Sequence, residues 1–265
     1  MVDDIIATIA KSPITDKYPI PQTLNIVLCT LVPTGGEECT GTIPTSLLSE
    51  AERQRAARFV FERDRWSYAA AHSLLRAMLS EFHGLPPLAW RFSDNGKGRP
   101  EIDPALPAKP LFNISHTHGM AACAVTSGHL PEGVKVGVDV ERLGRSSDSL
   151  ALAERFFSPS ESEWLRSLPQ RQLDSEFLRL WTLKEAVAKA VGMGLGLDFT
   201  SFHCSINPLS VLFDDPGLGS TATWELRNWF VDPVHWVSLA VQRPLGTIVN
   251  IKLRHLHGIP TTQPE

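Results

Sequence analysis

Three observations on the sequence predict a mixed α/β fold. Val134, Val136, Val138 and Val140 alternate with Lys135, Gly137, Asp139 and Glu141, which is the period of a strand with one buried face. Two long segments, about Arg63 to His83 and about Asp174 to Val191, carry apolar residues at three- and four-residue spacing and run into glycines, as amphipathic helices do. The runs Thr223 to Phe230, His235 to Val241 and Thr247 to Leu253 alternate as antiparallel strands do.

The elements follow in chain order. Residues 1–23 contain Pro13, Pro19 and Pro21 without periodicity and are expected to form an arm or lead-in. Asn25 to Val32 reads as a first strand. Ser49 with Glu52 three positions on forms a capping box and starts a helix. The first long helix carries its apolar stripe on Leu74, Leu75, Met78, Leu79 and Phe82; Gly84 ends it, and Pro86 and Pro87 prevent resumption. Asn95 to Pro100 is a turn bearing the cations Lys97 and Arg99, and strand-like runs follow at 111–115 and 120–126. Gly128 to Gly133, with Pro131 between, is the expected hinge, dividing the chain into halves 1–131 and 132–265. Ser158-Pro159-Ser160-Glu161 combines an N-cap, a first-turn proline and a third-position glutamate. Phe177, Leu180, Leu183, Val187 and Val191 stripe the second long helix, and Gly192, Gly194 and Gly196 stop it. Residues 258–265 read as a frayed tail. No internal repeat is visible in the sequence itself.

At 265 residues with 43% hydrophobic side chains, the chain has core enough for one large domain or two small ones. A net charge of −4 excludes a general nucleic-acid binder. No apolar run is long enough to span a bilayer, and the acidic start Met1-Val2-Asp3-Asp4 is unlike a signal peptide. Cys29, Cys39, Cys123 and Cys204 lack the paired spacing of a zinc or redox motif. A soluble, reduced, cytoplasmic protein without membrane or nucleic-acid partners is the expectation.

Chemistry concentrates in three clusters. Asp139 and Glu141 point the same way from the valine strand, with backbones about 6.7 Å apart, so they fit either a solvated edge or a hard-cation site that also takes phosphate oxygens. Trp181, Glu185 and Lys189 lie four apart on the second long helix, with Lys184 beside them. Glu185 and Lys189 are either an ordinary surface pair or a third carboxylate with a cation that neutralises phosphate. Ser115 and His116 end a short strand, where both can donate hydrogen bonds to phosphate. His116-Thr117-His118 lacks the partner cluster zinc needs.

Gly98-Arg99-Pro100, Asn113-Ile114-Ser115-His116, Gly137-Val138-Asp139-Val140-Glu141, Arg155-Phe156-Phe157-Ser158 and Trp181-Thr182-Leu183-Lys184-Glu185 occur together in this order. Over about residues 45 to 245 the chain resembles the 4'-phosphopantetheinyl transferases of the larger, surfactin-synthetase-activating type. The resemblance implies two similar halves related by a pseudo-two-fold axis. Each half would pack an antiparallel-rich sheet on a long helix, with the active site in the cleft between them. It implies transfer of phosphopantetheine from coenzyme A to a serine of an apo acyl or peptidyl carrier protein, with Mg²⁺, releasing 3',5'-ADP from a monomeric enzyme. Asp139, Glu141 and Glu185 resemble the three magnesium ligands. Arg99, Ser115, His116, Lys184 and Lys189 match positions at coenzyme A, Lys189 at its pyrophosphate. Where relatives carry an arginine for the 3'-phosphate this chain has Ser67, with Arg63 and Arg65 as nearby cations. Glu161 matches a glutamate discussed as an accessory base, although its capping position explains it without chemistry.

Attack on a pyrophosphate calls for positioning and charge stabilisation. Glu185 is the expected base, with Lys189 and His116 the other catalytic residues. Two other readings use the same residues: another Mg²⁺-dependent phosphotransferase or pyrophosphate-cleaving enzyme, and a non-catalytic coenzyme A or carrier-binding module. Docking of an acidic carrier would call on a local patch such as Arg142, Arg145 and Arg155. Phe156 and Phe157 read first as core.

Overall fold

The computed structural model describes residues 22–33, 45–94, 100–144, 148–193 and 196–257. Residues 1–21 of the expected arm, the tail, Arg145, and Lys97 and Arg99 of the expected turn lie outside the described residues, while Thr23, placed in the arm, begins a strand.

The N-terminal half contains β1 (Thr23–Val32), α1 (Glu50–Ala57), α2 (Glu62–His83), a short hairpin β2 (Phe92–Asp94) and β3 (Pro100–Ile102), then β4 (Phe112–Thr117) and β5 (Met120–Ser127). The C-terminal half contains β6 (Lys135–Arg142), α3 (Ser149–Phe156), α4 (Pro159–Ser167), α5 (Gln170–Val191) and a second hairpin β7 (Phe202–Ile206) and β8 (Leu209–Phe213). It closes with β9 (Trp224–Asp232), β10 (His235–Gln242) and β11 (Ile248–His257). The strands run β1-β5-β4 in one sheet and β6-β10-β9 in the other, so the halves repeat one another. Each carries a 22-residue helix ended by a glycine in the left-handed region, Gly84 at φ 72° and Gly192 at φ 85°.

Three cores hold this arrangement. One lies under α2 with Val27, Cys29 and Leu31 of β1, and one under α5 with the β7–β8 hairpin. The third joins the inner faces of the two sheets, where Val136, Val138 and Val140 meet Leu24, Ile26 and Leu28. Apolar burial on both faces of each sheet explains why β1 reads as a nearly continuous apolar run.

The repeat extends to side-chain detail. Ser49 and Glu52 form a capping box on α1, and Ser158 and Glu161 form one on α4. Each glutamate then receives a buried cation from the long helix of its own half, Arg76 to Glu52 at 2.8 Å and Lys184 to Glu161 at 2.8 Å. Arg76 and Lys184 occupy the same position, fourteen residues past the first residue of their helices.

Strand β11 departs from expectation. Its alternation predicts an antiparallel member of the C-terminal half, but it pairs in parallel with β1, Thr23 opposite Ile248 through Val32 opposite His257. Val249, Ile251 and Leu253 cover the outer part of the inter-sheet core, and burial there outweighs the shorter route to β10. Helix α3, the two hairpins, and the first turn of α5 beginning at Gln170 are further additions to the predicted elements. Among the described residues no helix is long and apolar enough to cross a membrane, and the described cysteines Cys29, Cys123 and Cys204 are buried and free.

Candidate active site

The site begins with a close approach of helix to strand. Gly137, Asp139 and Glu141 form the face of β6 opposite its valines, and α5 packs on that face. A Cβ built on Gly137 would stand 2.0 Å from the Ala186 carbonyl oxygen and 2.4 Å from the Ala190 nitrogen. Only glycine admits the helix backbone at this distance. Glu185 and Lys189 flank Ala186 and Ala190, so the contact delivers both side chains beside Asp139. Gly137→Ala is expected to destabilise the protein by about 2–3 kcal/mol, the upper range for overpacking, read as a lowered urea midpoint with unchanged slope.

The polar groups then interlock. Lys189 Nζ donates to Asp139 Oδ1 at 2.6 Å and to Ser115 Oγ at 2.8 Å, and Ser115 Oγ donates to Asp139 Oδ1 at 2.8 Å. Thr117 Oγ1 donates to Glu141 Oε2 at 3.2 Å. Asp139 is buried, and its second oxygen, Oδ2, has no hydrogen-bond partner. Burial, with the negative charges of Asp139 and Glu141, pushes the Glu185 carboxyl up to about 7 against the pull of Lys189. Crowding by the cleft walls, then Lys189 and His72, push the His116 imidazole down to about 4, although its edge stays open to the cleft.

Ser115, His116, Glu185 and Lys189 line a cleft of about 1080 Å³ between the halves, and Asp139 sits directly behind Ser115 and Lys189. The lining also includes Arg55, Arg76 and Arg91 with Phe59, Tyr68 and Trp90. Arg55 and Arg91 are cleft cations that the sequence reading overlooks. The available signal is Arg55's place one turn after the capping-box glutamate. Ser67 is buried and turned away, donating to the Arg63 carbonyl at 2.8 Å and the Thr117 carbonyl at 3.1 Å. Arg63 stands over the Phe61 ring and Arg65 donates to the Phe59 carbonyl, and neither lines the cleft.

Lys184 is also elsewhere. It is fully buried, with Nζ donating to both Glu161 oxygens at 2.9 and 2.8 Å and to the Phe202 carbonyl at 2.7 Å. The Phe202 ring lies 4.1 Å from the ammonium. An ammonium with its donors committed inside the core is not placed to meet a ligand in the cleft, which corrects the expectation of a coenzyme A contact there. Glu161 caps α4 through Ser158 N at 2.8 Å and accepts from Cys204 N at 2.7 Å, so it ties α4, α5 and β7 together. Phe157 is core, Phe156 half-buried, and the Arg155 guanidinium lies over the Phe156 ring.

Among the described residues no group of three or more His, Cys, Asp or Glu side chains could hold a metal ion as placed. The donor set nevertheless suits a hard cation. Asp139 Oδ2 is a buried acceptor without a donor, and Glu185 bears the repulsion of two neighbouring acids, which added positive charge would relieve.

Residues 135–229 match the family model of the 4'-phosphopantetheinyl transferase superfamily, and residues 38–128 match that of the 4'-phosphopantetheinyl transferase N-terminal region. The chain is 40% identical over 149 residues to the 4'-phosphopantetheinyl transferase HetI of Nostoc sp., covering 56% of this chain and 61% of that protein. It is 33% identical to the 4'-phosphopantetheinyl transferase gsp of Aneurinibacillus migulanus, over 62% of this chain and 64% of that one. It is 32% identical to the 4'-phosphopantetheinyl transferase ffp of Bacillus subtilis, over 75% of this chain and 84% of the relative. The match therefore spans a little under two thirds of HetI and gsp and most of ffp.

Proposed function

The chain belongs to the 4'-phosphopantetheinyl transferase superfamily, and from that premise we propose that it moves the 4'-phosphopantetheine group of coenzyme A onto a serine of an apo acyl or peptidyl carrier protein. The observation that carries this reading is the convergence of Ser115, Asp139, Glu185 and Lys189 on one cleft bounded by both halves.

Asp139, Glu141 and Glu185 would hold the Mg²⁺ expected of the family. When bound, Mg²⁺ supplies positive charge to the diphosphate oxygens of coenzyme A. Lys189 brings a second positive charge on a stem already fixed by Ser115 and Asp139, and it offsets charge on the leaving 3',5'-ADP. His116, neutral at pH 7, donates a hydrogen bond to a phosphate oxygen without requiring a change of protonation. Arg55 and Arg91, the latter paired with Asp103 at 2.8 Å, line the same cleft and receive the anionic adenylate end, the part of the site that Ser67 leaves without its expected arginine. Arg99 stays a proposed contact on the family pattern.

The acceptor serine oxygen forms a bond to the β-phosphorus of coenzyme A while the bond from that phosphorus to the bridging oxygen breaks. The serine proton goes to Glu185, a carboxylate that lines the cleft, directly or through one water. Glu161, locked in the core with Lys184, does not serve as base. A reduced cytoplasmic setting and a monomeric state belong to the same reading.

Incubation with coenzyme A, Mg²⁺ and an apo carrier is expected to add a phosphopantetheine-sized mass to the carrier, read by intact-protein mass spectrometry, with stoichiometric 3',5'-ADP. Cleavage of coenzyme A without carrier modification would replace this reading with pyrophosphate hydrolysis. Tight coenzyme A binding with no turnover on any carrier would replace it with a binding module.

A further inference from the structure

The two sheets meet edge to edge. Strand β4 is the last strand of one sheet and β6 the first of the other, and no backbone ladder joins them. Side chains of β4 span the seam instead, at every second position. Asn113 Oδ1 accepts from Val138 N at 2.8 Å, Ser115 Oγ donates to Asp139 Oδ1 at 2.8 Å, and Thr117 Oγ1 donates to Glu141 Oε2 at 3.2 Å. These residues share one face of β4 and are all buried. Each spans the seam to β6 with a sequence separation of 24 or 25. The rungs have different jobs. Asn113 satisfies an edge amide that would otherwise be buried without a partner. Ser115 belongs to the Lys189 cluster already described. Thr117 meets the Glu141 carboxylate.

Resting on the function proposed above, we propose that Thr117 is a positioning residue for Glu141: its hydroxyl fixes the rotamer in which the carboxylate faces the cleft-side acids, so that the cation is bound by an oriented oxygen. Hydroxyl and amide groups behind ligating carboxylates orient them, and their removal typically costs 10–100-fold in metal affinity or activity. The backbone carbonyl of Thr117 also accepts from Ser67, so α2 holds this rung in place from behind. Glu141 thus receives a hydrogen bond from the N-terminal half, while Asp139 is gripped from both halves by Ser115 and Lys189.

The test uses the full chain without coenzyme A and Mn²⁺ as the probe, with free Mn²⁺ measured by electron paramagnetic resonance. Thr117→Val keeps the shape and removes the hydroxyl, and Thr117→Ser keeps the hydroxyl. Thr117→Val is expected to weaken Mn²⁺ binding about tenfold, with an unfolding temperature close to the parent's. Thr117→Ser is expected to bind as the parent does. Thr117→Ala replaces the valine variant if the latter fails to fold. Glu141→Gln is the control for the underlying reading. If Glu141→Gln weakens Mn²⁺ binding while Thr117→Val does not, or if Thr117→Ser is as impaired as Thr117→Val, the positioning role is overturned and the carboxylate site stands. If Glu141→Gln binds as the parent does, the carboxylate site fails and takes the positioning role with it.

Discussion

Glu185→Gln is expected to lower carrier modification by roughly 10²–10⁴-fold, the span a general base contributes, without lowering the temperature of unfolding. Glutamine keeps the size of the side chain and loses the carboxylate that accepts the serine proton. The stability half of the result follows from the site's electrostatics. The folded-state pKa of about 7 lies above the ordinary 4.5 because of burial and the adjacent Asp139 and Glu141. The folded protein thus holds this proton more tightly than the unfolded chain does, and stability falls as pH rises from 4.5 to about 7. Above that range the cost of burying the charge and the repulsion are both fully present, together at most roughly 3.4 kcal/mol at 1.36 per pH unit and less because the side chain is partly open to solvent. The parent protein without divalent cation is therefore expected to lose stability between pH 5 and pH 8, and the glutamine variant to lose less. Thermal unfolding across that range with and without Mg²⁺ measures both. Near-normal turnover by Glu185→Gln would remove the residue from the mechanism.

Lys184→Met is expected to cost about 3–5 kcal/mol, the loss seen when one partner of a buried ion pair is removed. Methionine fills the space beneath Phe157, Phe199 and Phe202, which surround the ammonium, so the cost is electrostatic more than steric. It leaves the Glu161 carboxylate buried at 1% exposure, with the Ser158 and Cys204 amides as its remaining donors. Pairing the change with Glu161→Gln is expected to recover part of the loss, because glutamine retains an oxygen acceptor and brings no charge. Urea unfolding of the single and double variants reads the coupling. A Lys184→Met protein as stable as the parent would overturn the stabilising role of this buried pair.

Much of the site was legible because its determinants are local. Four valines on one strand face placed Asp139 and Glu141 together on the other, while the need for glycine at position 137 emerges only once α5 is seen to pack there. The two lysines of α5 mark the limit. Lys184 and Lys189 read alike in sequence, as cations beside Trp181. Their fates differ because Glu161 reaches one from 23 positions away and Asp139 the other from 50. Local periodicity cannot report which carboxylate a helix face will meet. The same limit hid the partner of β11, whose alternation identifies a strand but not its neighbour. The three-residue strands β2 and β3 are too short to show a period at all. The internal repeat was concealed differently. Its halves conserve architecture while exchanging residues, arginine for lysine at the buried cation and Cys29 and Leu31 for the acids on the helix-facing strand. The repeated unit, Ser-x-x-Glu followed by a cation late in a long helix, was present but scattered over too few positions to stand out.

The parallel pairing of β1 with β11 also governs how the molecule can be assembled and divided. Thr30 Oγ1 lies 2.7 Å from His255 Nδ1 across 225 positions of chain, so β1 leaves the ribosome long before β11 and waits for it before its outer flank is covered. Until then a long apolar strand presents open amides and carbonyls, the surface most prone to pairing with a neighbour. The duplicated halves are consequently expected not to be separable modules: cutting between β5 and β6 would strip the earlier half of β11, which pairs with its β1.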